Sequence, residues 1–153
     1  MPYTFIAVDP ATGRRGLLVE VHPDGGAQTH PNALVPDLSR RLFERSIRVG
    51  LIFTPTTTLV VRDRVTETSF TANRFDVAPV STAELLVHAR LGAPRSGQAF
   101  VEQVRTWLEA VGASWYSFLW PNAAPAMVPD VVGHLAQADI ITWEGLLERG
   151  DAA

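Results

Sequence analysis

Asp9, Glu20 and His22 are the residues of this chain whose types and spacing fit acid, base or metal chemistry. They stand in Tyr3 to His22, YTFIAVDPATGRRGLLVEVH, where two apolar runs flank a turn. Two carboxylates can hold a divalent cation, and an imidazole can take a proton from an attacking water at neutral pH. Side chains alternate along a strand, so Glu20 and His22 project from one face. The pair is then held close on a stiff element.

The elements that position these residues form a hairpin. Tyr3, Phe5, Ile6 and Val8 make a β-prone run, Pro10, Thr12 and Gly13 supply a turn, and Leu17 to Val21 is a second strand. Both faces of that second strand are apolar apart from Glu20, as expected where a strand is covered on both sides. A competing reading needs no catalysis. A carboxylate inside an apolar strand is costly unless paired, and Arg14, Arg15 or an arginine of the following helix can neutralise Glu20. Asp9 can serve simply to open the turn.

An apolar strand ending in Glu-x-basic, preceded by a strand that ends near an Asp, resembles the core of the PD-(D/E)XK restriction-endonuclease-like superfamily. The arginine-bearing helix that follows and the hairpin VGLIFTPTTTLVVRD extend the likeness over about residues 3–64. The resemblance implies an α/β (α+β) fold with a central mixed sheet of four to five strands flanked by helices, and residues 1–153 as one nuclease-like domain. It implies Mg²⁺ held by Asp9 and Glu20, with His22 in the place of the family's catalytic Lys. The chain departs from the pattern at three points. It contains no Lys, it has Thr4 where the family's metal-binding Asp commonly sits, and it has no counterpart before Tyr3 of the family's first helix. The function implied is therefore a catalytically degenerate nuclease-like domain without cofactor, acting as a binding, regulatory or assembly module in a bacterial system. The alternatives are an active Mg²⁺-dependent nuclease using Asp9, Glu20 and His22, and a scaffold protein that associates through residues 114–120.

Composition narrows the classes. A chain of 153 residues, 46% hydrophobic and 19% charged, has the length and balance of one globular domain. No apolar run approaches the ~20 residues of a membrane span, and the opening residues lack a signal-peptide pattern, so a cytoplasmic location is expected. Absence of Cys excludes disulfides, zinc ribbons and thiol nucleophiles. Absence of Lys excludes a Walker phosphate loop and Schiff-base chemistry. All thirteen cationic side chains are Arg, as in the coding bias of a GC-rich genome, and the net charge of −3 disfavours sequence-independent binding to nucleic acid.

Elsewhere the chain offers weaker signals. His22, Asp24 and His30 share a turn-rich loop and lack tight metal-ligand spacing. Leu34 to Arg48 reads as an amphipathic helix whose Arg41, Arg45 and Arg48 form a stripe, read first as a solvated outer face and alternatively as a surface for phosphate or an acidic partner. Val49 to Phe53 and Thr58 to Arg62 read as a second hairpin, and Val65 to Val80 as an irregular connection. Ser81 caps a short helix over Thr82 to Ala89, and the clearest helix runs from Gly97 to Val111 with Gly112 as its stop. SWYSFLW carries Trp115, Tyr116 and Trp120; buried, it reads as an edge strand or a cover over the sheet, and exposed, as a patch for a protein partner or a second copy of the chain. Asp130 to Ala138 reads as a helix, Asp139 to Ile141 as a strand and Thr142 to Gly150 as a last helix.

Overall fold

Apolar residues at both odd and even positions of the central strands require cover on both faces of the sheet, and two separate cores supply it. The fold is that of a computed structural model, which describes residues 3–23, 31–64, 74–114, 128–136 and 138–142. Its strands are β1 (Tyr3–Val8), β2 (Arg15–Val21), β3 (Val49–Phe53), β4 (Thr57–Asp63), β5 (Phe75–Ser81) and β6 (Asp139–Thr142). They form one mixed sheet in the order β5-β4-β3-β2-β1-β6, one strand more than the upper expectation. β2 and β3 run parallel, and every other neighbouring pair is antiparallel.

A parallel pair needs a crossover, and the helix α1 (Val35–Arg45) provides it. α1 buries Leu38 and Leu42 against Ile6, Leu18, Ile52 and Leu59 on one face of the sheet. The opposite face carries α2 (Thr82–His88), α3 (Gly97–Ser114) and α4 (Val128–Leu135). The apolar stripe read from α3 is buried as expected: Phe100, Val101, Val104, Trp107, Leu108 and Val111 all lie in that second core. No helix among the described residues is long and apolar enough to cross a membrane.

Several boundaries differ from the sequence reading, α4 among them at Val128–Leu135 against the expected Asp130 to Ala138, and three of the differences have a local reason. α1 stops at Arg45 because Ser46 turns left-handed at φ 55° and closes the helix with its N–H on the Leu42 and Phe43 carbonyls. Residues 75–81 form β5 instead of an irregular connection. Pro79 obscured that strand, and proline is tolerated there because β5 ends the sheet order and has one strand neighbour. α3 passes through Gly112 to Ser114.

Gly112 serves packing instead of termination. A Cβ at this position would come within 2.6 Å of the Leu135 carbonyl oxygen, so its absence lets α4 lie against α3. Gly112→Ala is expected to lower unfolding stability by about 1–3 kcal/mol, the usual range for overpacking, despite alanine's better helix propensity. Urea denaturation checks this, and a stabilised variant would show that the two helices can separate at no cost.

Candidate functional site

The register of the β1–β2 ribbon decides which polar residues can meet. Thr4 lies directly across from Glu20, and Val8 across from Arg15. Asp9 is therefore at the closed, turn end of the ribbon and Glu20 near its open end. At ~3.3 Å per residue, the five positions from Thr4 to Asp9 separate the two acids by roughly 16 Å. The expected convergence of Asp9, Glu20 and His22 on one metal is corrected on this ground. Asp9 closes the turn, with its Oδ1 accepting from the Ala11 N–H at 2.9 Å and its carbonyl accepting from the Gly13 N–H at 2.7 Å. Gly13 permits that turn by adopting φ 72°.

Glu20 and His22 do meet. They share a face of β2, and His22 Nε2 lies 3.3 Å from Glu20 Oε1. The imidazole is held in place because the His22 N–H donates to the Phe53 carbonyl at 2.8 Å, continuing the ladder to β3. Glu20 is only 2% exposed. Its other oxygen, Oε2, accepts from Arg41 Nη1 of α1 in a charge-assisted hydrogen bond. The arginine that neutralises this buried acid thus comes from the following helix, one of the three sources open to it in the sequence.

The local sequence explains why the pair forms. Glu20 has the same parity along β2 as Leu18, so it faces α1, and α1 presents Arg41 one position before Leu42, which packs on that face. Both carboxylate oxygens are occupied, and Thr4 and Ile52 flank the acid on the neighbouring strands. Chemically the cluster is an Arg-Glu-His network that fixes α1 over the sheet. One contact on each oxygen takes two of the carboxylate's roughly four acceptor sites. Among the described residues no group of three His, Asp or Glu side chains is placed to hold a metal ion.

The arginine stripe divides. Arg41 belongs to the Glu20 network, Arg45 ends the helix half-buried, and Arg48 lies beyond the left-handed Ser46, exposed, just before β3. Arg48 is carried to the end of the sheet where Arg14 precedes β2. Trp115, Tyr116 and Trp120 fall outside the described residues, as do Asp24 and His30 of the loop and residues 143–150 of the expected last helix, whose first residue Thr142 instead ends β6.

Sequence reasoning missed a buried hydroxyl network near the open end. Thr82 Oγ1 donates to the Thr54 carbonyl at 2.7 Å and lies 2.8 Å from Thr58 Oγ1. The Thr54 hydroxyl donates to the Thr57 carbonyl at 2.8 Å and accepts from the Thr57 N–H at 3.0 Å. The run TPTTT was the available signal, and these bonds anchor the first turn of α2 to the β3–β4 turn. Comparison with family models, with curated proteins and with solved structures returns no match for this chain.

Proposed function

We propose that this chain is a nuclease-like α/β domain without a catalytic set, working as a binding module. The observation that carries the reading is the state of Glu20. Its carboxylate is buried, held by Arg41 and His22, and faced across the ribbon by a threonine. The resemblance to the PD-(D/E)XK core places the family's metal-binding Asp at about Thr4, and the register puts Thr4 opposite Glu20. A hydroxyl thus stands where a second acid would complete a metal pair, and Mg²⁺ binding through Glu20 and Asp9 has no geometric support.

The reading is tested by incubating supercoiled plasmid with Mg²⁺ or Mn²⁺ and the wild-type chain or Glu20→Gln, a near-isosteric change, with circular dichroism as the check on folding. Equal and negligible cutting by both proteins is expected. Metal-dependent cutting by wild type that a folded Glu20→Gln variant loses would overturn it.

A further inference from the structure

At the end of the sheet away from Glu20, three neighbouring strands bring arginines together. β2 and β3 are parallel and both begin there, after Arg14 and Arg48, while the antiparallel β4 ends there with Arg62 and leads to Arg64. These four arginines line a cleft of about 380 Å³ whose remaining walls include Asp63 and His134 of α4. His134 reaches this position because β2 has Gly16 beneath it, where any Cβ would collide with the imidazole.

Among the described residues that line the cleft, the arginines outnumber the one aspartate. Asp63 is buried, and its Oδ1 accepts from Arg74 Nε at 2.6 Å. Asp76, opposite Arg62 in the register, meets Arg62 at 3.0 Å and Arg64 at 3.5 Å. One aspartate is therefore answered by Arg74, and the other is shared between two arginines. Arg14 and Arg48 have no carboxylate within ion-pair distance among the described residues. Asp9, the acid nearest Arg14 in sequence, spends Oδ1 on the turn amide of Ala11. Among the described residues, four arginines and one aspartate line this cleft, in a chain whose net charge is −3.

We infer that this cleft is an anion site for a phosphate monoester on a small molecule. Guanidinium groups present paired N–H donors that match phosphate oxygens, and several converging on one cleft suit a dianion better than a monoanion. The volume is that of a small-ligand pocket. An acidic chain surrounding the cleft repels an extended polyanion, so the ligand is a compact phosphate and not a nucleic-acid backbone. The inference names a site for the binding role proposed above, and it uses neither Glu20 nor the nuclease resemblance.

Isothermal titration of the full chain with inorganic phosphate and with adenosine monophosphate tests it, beside a 5′-hydroxyl single-stranded oligonucleotide. The variants are Arg14→Gln/Arg48→Gln and, as a control for loss of charge alone, the exposed Arg95→Gln. Saturable binding of either phosphate is expected, weakened at least about tenfold in the double variant and unchanged in Arg95→Gln, because each lost charge-assisted bond is worth a tenfold effect or more. Three outcomes overturn the site: no binding at millimolar phosphate, equal weakening in Arg95→Gln, or binding of the oligonucleotide without binding of either small phosphate. None of these bears on plasmid cutting, so failure here and failure of the non-catalytic reading are separately visible.

Discussion

Arg41→Met is expected to destabilise the fold by about 2–4 kcal/mol, measured by urea denaturation at neutral pH. Removing one partner of a buried ion pair typically costs about 3–5 kcal/mol, because the other charge is left without compensation. The lower range applies because the Arg41 side chain is 41% exposed and His22 still touches Glu20. A second variant separates the lost pair from lost packing. Glu20→Met/Arg41→Met removes both charges and keeps comparable volume, so it is expected to fall within about 1 kcal/mol of wild type, as hydrophobic replacement of buried ion pairs often does. The same variants judge the metal alternative. If Glu20 were a cation ligand merely masked by Arg41, then Mg²⁺ would stabilise Arg41→Met through binding to the native state. No Mg²⁺-dependent rise in its denaturation midpoint is expected, and a rise absent from wild type would restore Glu20 as a metal-site candidate.

The sequence was most informative where one periodicity ran without competition. The buried stripe of α3, the Ser81 cap of α2 and the paired faces of β1 and β2 follow from apolar spacing and cap chemistry alone. The Glu20–His22 contact follows from the same arithmetic. Reading became unsafe where a single residue type admits two uses. Pro79 reads as a strand breaker until the sheet order shows β5 at one end, and Gly112 reads as a helix stop until α4 is seen against it. Arg48 joins a helical stripe only if the helix continues, and the left-handed turn at Ser46 is not signalled by residue type. The Asp9 error has a different origin. In a ribbon, residues just before the turn and those late in the second strand lie at opposite ends, so nearness in sequence to a shared turn does not mean convergence. The arginine cleft was illegible for a related reason: Arg14, Arg48 and Arg62 belong to separate elements, and only the parallel β2–β3 pairing brings them together.

Trp107→Ala is expected to cost more than either Arg41→Met or Gly112→Ala, about 3–5 kcal/mol, the range for deleting a fully buried aromatic side chain. Among the described residues Trp107 is the largest side chain with no exposure, and it meets Phe53 edge to face at 5.4 Å between ring centroids and 63° between planes. It joins the middle of α3 to the end of β3, and Phe53 itself sits between the β2 ladder and the Thr54 turn. The void left by the indole cannot be closed by a shift of α3 toward the sheet without disturbing Phe100 and Val104 on the same helix face. Trp107 and Arg41 act through opposite faces of the sheet, with no shared partner among the contacts described. Their costs should therefore add to within about 0.5 kcal/mol in Trp107→Ala/Arg41→Met, given a stability large enough to measure. A double variant markedly more stable than that sum would show that the sheet relays strain between its faces, and that the two cores are one mechanical unit instead of independent supports.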